Sequence, residues 1–246
     1  MSQVRSFEIA VPGAVLDDLR FRLDRTRPAR GAAAGWLTGT DPGYLASFVT
    51  SWAGEYQWRD TESALNGLPQ LLVSVAGADI HVFRIGARTP AAGAAPVPLV
   101  LTHGWPSSFF EFLPLIGPLT DPVAHGADPA DAFDVVIPSL PGFGFSAPLP
   151  AGQNHPARIA DLWAELMDQL GYRRSGAYGG DIGSQASQEH QGQQRSGQPV
   201  ESVLEPAVDL PGRLRQTGAL QRGQGQQQPG QRVPGTGGEH RLGALA

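Results

Sequence analysis

The sequence of 246 residues predicts an α/β protein, with a mostly parallel β-sheet flanked by helices, a helical meander before the sheet and a disordered tail after it. Three observations predict this class. Short apolar runs alternate with amphipathic segments between residues 69 and 187, which is the pattern of strands connected by helices. The pattern before residue 69 is mainly helical. Beyond residue 187 both patterns stop.

The composition excludes several classes of function. The formal net charge is -5, so the chain has no basic footprint for nucleic acid. It contains no cysteine, which excludes disulfides, thiol chemistry and thiolate-bound metals. No stretch approaches the roughly 20 apolar residues of a membrane span, and the start lacks a signal-peptide core. We therefore expect a cytoplasmic protein without nucleic-acid or membrane partners; the oligomeric state is left open.

The first region, residues 1–68, is predicted to contain a helix followed by a second helical stretch rich in aromatic residues. Leu16, Leu19 and Leu23 recur at helical spacing, and Pro28 ends that run. The aromatic residues are Tyr44, Phe48, Trp52, Tyr56 and Trp58. We expect these rings to pack on a neighbouring core; a ligand-binding box is the alternative.

The second region, residues 69–187, alternates strands with helices. "PQLLVSVAGADIHVFRIG" predicts a hairpin that turns at "AGAD". "PVPLVLTHGWP" and "AFDVVIPSLPGFGFS" each begin with an apolar run typical of a strand buried on both faces. "SSFFEFLPLIGPLT" and "ARIADLWAELMDQLG" predict helices, and "YRRSGAYGGDIG" predicts a short strand that leads into a tight turn.

That turn, Gly179-Gly180-Asp181-Ile182-Gly183, has the form of a nucleophile elbow. Small residues on both sides let a strand turn sharply into a helix, so that the central side chain projects above the sheet. An aspartate that bonds the backbone of its own turn is the alternative interpretation.

An elbow of this kind requires an oxyanion hole, built from the amide after the nucleophile and an amide from an earlier loop. "LVLTHGWPSS" supplies such a strand and loop upstream. The amides of Trp105 and Ile182 are therefore expected to face the same point. His103 is expected to brace the loop, and the alternative is a general base.

"HGWP", "PSLPGFGFS" and "GGDIGS", in this order, resemble the epoxide hydrolase branch of the α/β-hydrolases. The opening region resembles the N-terminal domain that precedes this fold in the microsomal-type enzymes. The resemblance covers roughly residues 5–187 and implies a partial α/β-hydrolase fold in a soluble, bacterial-type member.

The resemblance implies that Asp181 opens an epoxide of a small molecule and forms an alkyl-enzyme ester. A histidine-activated water then hydrolyses the ester, an acid orients the histidine, and two tyrosines of a cap bind the epoxide oxygen. The chemistry requires no metal and no organic cofactor.

Several of these implied residues find no match in the chain. No tyrosine follows Tyr178, and neither His190 nor His240 occupies the position of the family's histidine. The acidic residues that remain without a place are Glu201, Glu205, Asp209 and Glu239. We expect the chain to be a weak or inactive hydrolase.

The third region, residues 188–246, is rich in Gln and Gly and is predicted to be low-complexity and disordered. We interpret it as out-of-frame sequence after a frameshift near Ser184–Gln191; a natural low-complexity tail is the alternative. In either case the strand before Asp181 would be an exposed sheet edge.

Two other functions remain open. Haloalkane dehalogenases share the fold and an aspartate nucleophile, but they hold the halide with a tryptophan directly after it, where this chain has Ile182. A non-catalytic relative that acts by binding is the third interpretation.

Overall fold

The structure, a computed structural model, describes residues 4–27, 35–37, 39–88, 90, 93, 95–146 and 155–197, without the side chains of 195–197. Most of the expected tail, from residue 198 onward, lies outside the described residues. In the described part, none of the helices combines the length and apolar character needed to cross a membrane.

Six strands form one sheet in the described residues, in the order β1-β2-β3-β5-β4-β6. The strands are β1 Val4–Ser6, β2 Gln70–Val75, β3 Ala78–Ile85, β4 Val97–Thr102, β5 Phe133–Pro138 and β6 Gly176–Gly179. The pairs β1–β2, β2–β3 and β3–β5 are antiparallel, and β4 pairs in parallel with both β5 and β6. The α/β class is confirmed, but the sheet is mixed, and parallel pairing is confined to β5-β4-β6.

Six α-helices surround this sheet in the described ranges. They are α1 Gly13–Asp24, α2 Pro42–Gly54, α3 Trp58–Asn66, α4 Leu113–Thr120, α5 Pro156–Gln169 and α6 Ile182–Gly197. Shorter 3-10 turns cover Phe109–Phe112, Pro122–His125 and Pro129–Asp131. The helix α6 extends past residue 187, where the helical pattern was expected to stop.

The hairpin between β2 and β3 closes through a two-residue loop, because Val75 is paired with Ala78. Both loop residues have positive φ, 47° at Ala76 and 82° at Gly77. This is the geometry of a type I′ turn, whose twist matches that of the strands. Alanine is strained in this region because its Cβ approaches the carbonyl oxygen.

We expect Ala76→Asn to raise the free energy of unfolding by about 0.5–1 kcal/mol, since asparagine tolerates the left-handed region and completes an Asn-Gly turn. Urea unfolding followed by circular dichroism measures the change. Ala127→Asn is the control, because Ala127 is also exposed and lacks the positive φ. An equal gain in both variants would show that the turn is not strained.

The core lies on both faces of the sheet. On one face, strand residues pack against the apolar side of α5, and Leu162, Trp163 and Leu166 are fully buried there. On the other face, the strands pack against the segment after β1 and the turn that precedes α4, where Phe109 and Phe112 are buried. Strands covered on both faces explain the continuous apolar runs in the sequence.

The region expected at residues 1–68 is joined to the sheet and is not separate from it, since β1 pairs with β2. Side chains of α3 hold the extended segment after β1. Glu62 accepts a hydrogen bond from the Val11 N–H at 2.7 Å, and Asn66 bonds both the N–H and the carbonyl of Ile9 at 2.9 and 2.8 Å. The Val11 amide, with Arg59 and Trp58, lowers the pKa of Glu62.

The prediction that the five aromatic residues between Tyr44 and Trp58 clamp onto a core is wrong for four of the five rings. Trp58 is partly buried against the core, whereas the exposed rings are Tyr44, Phe48, Trp52 and Tyr56. The first three form a row, with ring centroids 6.4 Å apart for Tyr44 and Phe48 and 6.1 Å apart for Phe48 and Trp52. Helical spacing placed these rings on one side of α2, where Phe48 and Trp52 line an open groove with leucines of α1 and stay exposed.

Candidate active site

Asp181 lies at the apex of a sharp turn between β6 and α6. Its φ is +53°, one of two positive values at non-glycine residues in the described part of the chain. The hydroxyl of Ser184 in the first turn of α6 donates to the Asp181 carbonyl at 2.7 Å. The side chain of Asp181 is exposed at the carboxyl ends of the parallel strands β4 and β6. This is the geometry that the elbow pattern predicts.

Three glycines permit the close approach of backbones at this turn. A Cβ on Gly183 would lie 2.1 Å from the Thr102 carbonyl oxygen, and one on Gly179 would lie 2.5 Å from the Gly183 carbonyl. A Cβ on Gly104 would lie 2.6 Å from the Cβ of Asp181. By contrast, a Cβ on Gly180 would meet nothing within 4 Å. The turn therefore requires glycine at positions 179 and 183, whereas position 180, directly before Asp181, has room for a side chain.

Two backbone amides act on the Asp181 carboxylate. The Trp105 N–H donates to Oδ1 at 3.1 Å, and the neighbouring Ile182 N–H contributes to the lowered pKa of the carboxyl. Together these amides, Ile182 first, lower the pKa of Asp181. The Ile182 donor is local, but Trp105 comes from a loop 76 positions earlier. The carboxylate therefore joins the ends of two neighbouring strands, β4 and β6. It is more than a turn aspartate that bonds only the backbone of its own turn.

His103 braces the loop, as the sequence predicts, and both ring nitrogens are engaged away from Asp181. Nδ1 lies 3.0 Å from the Gly104 carbonyl oxygen, and Nε2 accepts a hydrogen bond from the Leu140 N–H at 3.0 Å. The ring is fully buried, and this burial lowers the pKa of His103. A neutral imidazole whose two nitrogens are both engaged in hydrogen bonds is unsuited to act as a general base at this position.

His190, the other candidate histidine that the structure describes, is not brought to the turn. His190 is buried on α6, where Nε2 lies 3.1 Å from the Ser175 hydroxyl and 2.8 Å from Nε2 of Gln194. Burial lowers the pKa of His190. The remaining candidates, Glu201, Glu205, Asp209, Glu239 and His240, lie outside the described residues.

Two supports of the turn were missed by sequence reasoning. The indole N–H of Trp163 on α5 donates to the Thr102 hydroxyl at 3.0 Å, and both residues are buried. The Leu140 amide, bonded to His103, belongs to the loop "PSLPGFGFS". In the sequence that loop is a glycine-rich exit from a strand and one of the three motifs of the resemblance, but it is not recognised as a support of the turn. A buried tryptophan needs a partner for its N–H, but this rule does not name Thr102.

The surroundings of Asp181 are open in the described structure. Trp105 is 67% exposed and Tyr178 is 58% exposed, and β6 lies at one edge of the described sheet, as expected. The peptide bond between Trp105 and Pro106 is cis. No group of three or more His, Asp or Glu side chains suited to a metal ion occurs among the residues that the structure covers.

Comparison with known proteins identifies the family. A model of the family described as Epoxide hydrolase N terminus matches residues 4–112. A Stigmatella aurantiaca protein whose name assigns it to the epoxide hydrolases is 46% identical over 183 residues. Together these matches support an epoxide hydrolase family member. Epoxide hydrolase 1 of Oryctolagus cuniculus is 33% identical over 184 residues.

The similarity to other epoxide hydrolases covers part of each protein. Each of these two relatives is matched over 74% of this chain and 40% of its own length, so the chain spans about 40% of the curated relatives. The crystal structure of juvenile hormone epoxide hydrolase from Bombyx mori has a TM-score of 0.65 at 31% identity, over 77% of this chain and 50% of that one. The Aspergillus niger epoxide hydrolase has a TM-score of 0.63 at 29% identity, over 74% and 47%. The partial α/β-hydrolase fold is confirmed.

Proposed function

We propose that this chain carries out the first half of an epoxide hydrolase reaction, the opening of an epoxide by Asp181 to give an alkyl-enzyme ester. The observation that supports it is the position of the Trp105 N–H, 3.1 Å from Asp181 Oδ1, on a carboxylate whose pKa the Ile182 and Trp105 amides lower. These amides form the oxyanion hole of the proposed site. The small-molecule substrate is inferred from the names of the relatives.

In the proposed step, the carboxylate oxygen Oδ2 forms a bond to one ring carbon of the epoxide. The carbon–oxygen bond at that carbon breaks, its electron pair goes to the epoxide oxygen, and the resulting alkoxide takes a proton from water. Oδ1 becomes the carbonyl oxygen of the ester and keeps the hydrogen bond from the Trp105 N–H. The depressed pKa keeps Asp181 ionised at neutral pH, so attack on the sp3 carbon needs no base.

The second half, hydrolysis of the ester, is proposed to be slow in this chain. It requires a water activated by a histidine. The three buried histidines of the described part, His81, His103 and His190, are hydrogen-bonded to other groups. The ester is therefore expected to persist.

The test is intact-mass spectrometry after incubation with an aryl epoxide. We expect one stable adduct with the mass of the epoxide, mapped to Asp181 by peptide analysis and absent from Asp181→Asn. The control Asp60→Asn, which removes another exposed carboxylate, should label normally.

Labelling of Asp181→Asn to the same extent as the parent would contradict the nucleophile. Sustained release of diol would contradict slow hydrolysis. Release of chloride from a chloroalkane without any epoxide adduct would favour the dehalogenase interpretation. Absence of every reaction in folded protein would favour a relative that acts by binding.

A further inference from the structure

The peptide group between Gly104 and Trp105 is hydrogen-bonded at both ends. Its N–H donates to Asp181 Oδ1 at 3.1 Å. Its carbonyl oxygen accepts from the Ser107 N–H at 3.1 Å and lies 3.0 Å from His103 Nδ1. Because a peptide group is planar and rigid, any contact that turns the carbonyl also turns the N–H. The direction of the donor on Asp181 therefore depends on what holds the Gly104 oxygen.

The position of the proton on His103 follows from its partners. The Leu140 N–H can only donate, so Nε2 of the imidazole is the acceptor and carries no proton. In the neutral ring the proton is then on Nδ1, which donates to the Gly104 oxygen. The ring has no exposed surface and meets Phe143 edge-on at 5.4 Å between centroids, so it has little freedom to turn.

The loop that contributes the Leu140 amide is itself anchored to β3. The Ser139 N–H donates to the His81 carbonyl at 2.9 Å, and the His81 N–H donates to the Ser146 hydroxyl at 2.9 Å. That hydroxyl in turn donates to the Ser139 carbonyl at 2.9 Å. These bonds are buried, so the Leu140 amide is a fixed reference point for the imidazole.

We propose that His103 is a positioning residue for the reaction. The Leu140 amide fixes the orientation of its imidazole. Through the Gly104 carbonyl, the imidazole then directs the Trp105 N–H toward Asp181 and polarises it. A donor on the carbonyl strengthens the N–H of the same peptide group, because hydrogen bonds in a chain polarise one another. The effect on reaction rate rests on the proposed function, whereas the effect on the Trp105 amide does not.

Two substitutions separate this role from simple bracing. In His103→Asn the side-chain amide reaches the place of Nδ1 and can still donate to the Gly104 oxygen. In His103→Gln the amide reaches the place of Nε2, so the acceptor for Leu140 remains and the donor to Gly104 is lost. We expect the rate of Asp181 alkylation to fall by about tenfold or more in His103→Gln, and to fall less in His103→Asn. If His103 only braced the loop, the alkylation rates of the two variants would follow their stabilities.

A second measurement needs no epoxide. In the same two variants, NMR follows the Trp105 amide proton and the titration of the Asp181 carboxyl carbon. We expect His103→Gln to weaken the Trp105 hydrogen bond and to raise the pKa of Asp181 toward its ordinary value, with His103→Asn closer to the parent. Equal amide shifts and equal titrations in the two folded variants would overturn the proposal.

The parent protein supplies the readout that does not depend on a variant folding. Imidazole nitrogen NMR should show the His103 proton on Nδ1, and a proton on Nε2 would overturn the proposal. If the parent does not alkylate while the amide and carboxyl shifts behave as expected, the proposed function fails and the positioning role stands.

Discussion

Gly183→Ala is expected to lower the free energy of unfolding by more than about 3 kcal/mol, or to prevent folding altogether. The added Cβ would lie 2.1 Å from the Thr102 carbonyl oxygen and 2.6 Å from that of His103. Both are backbone atoms, so no side chain can move aside. Relief requires α6 to withdraw from the end of β4, which would separate Asp181 from the Trp105 amide. Urea unfolding and the yield of soluble protein measure the effect.

Gly180→Ala is the matched control, since it adds the same methyl group three positions earlier in the same turn. A Cβ there meets nothing within 4 Å, and Gly180 has no positive φ. We expect its free energy of unfolding to stay within about 0.5 kcal/mol of the parent. If the two variants were equally stable, the close packing of α6 on β4 would be wrong.

The folded state is expected to lose about 3 kcal/mol of stability as the pH falls from about 6.5 to about 4, because of His81. Burial lowers the pKa of His81 to about 4, so between about pH 6.5 and 4 the unfolded chain binds a proton at this residue and the folded protein does not. The unfolded state therefore binds more protons throughout this window, and stability rises with pH across it. Burial lowers the pKa of His103 and His190 as well, and both shifts add to the loss of stability as the pH falls.

His81 is a neutral imidazole inside an aromatic cluster. Nδ1 lies 2.9 Å from the Ser139 hydroxyl, and Nε2 lies 2.9 Å from Oε1 of Gln70. The rings that meet it edge-on are Phe7, Phe83, Phe109 and Phe145. A charge at this position would have no counter-ion among these neighbours.

The measurement is the urea midpoint at a series of pH values. The variant His81→Gln should be less stable at neutral pH but should show a flatter dependence between pH 6.5 and 4. His125→Gln leaves His81 in place and should keep the slope of the parent. A His81→Gln slope as steep as that of the parent would place the acid sensitivity elsewhere.

Much of the fold could be read from the sequence, because its strongest determinants are local. The apolar runs of β4 and β5 and the Ala-Gly turn of the hairpin each specify one conformation over a few residues. β1 was missed because three residues, Val4–Ser6, carry too short a pattern, and only pairing with β2 defines them.

The helix α6 shows where counting apolar residues fails. Ala186, Ser187 and His190 are buried, although only the first is apolar. Side-chain amides complete the packing, since Gln191 donates to the Ala177 carbonyl at 2.7 Å and Gln194 to the Ser175 hydroxyl at 2.9 Å. The helical spacing of these residues was visible, but amides on a buried face have the composition of a loop.

The sharp turn at Asp181 could be predicted, because the glycine pattern constrains the backbone directly. The buried supports could not. The bonds of His103 to Leu140 and of Trp163 to Thr102 join residues 37 and 61 positions apart, and no local pattern connects them.

The same separations determine when the turn can form during synthesis. The hairpin joins neighbouring segments, while the bond from Trp105 to Asp181 closes a loop of 76 positions. Distant contacts form late because their loops must close first. On the ribosome, the Gly104–Trp105 amide therefore faces water until β6 emerges. Asp181 is therefore synthesised only after the whole of β4 and the Trp105 loop, which later restrain its side chain.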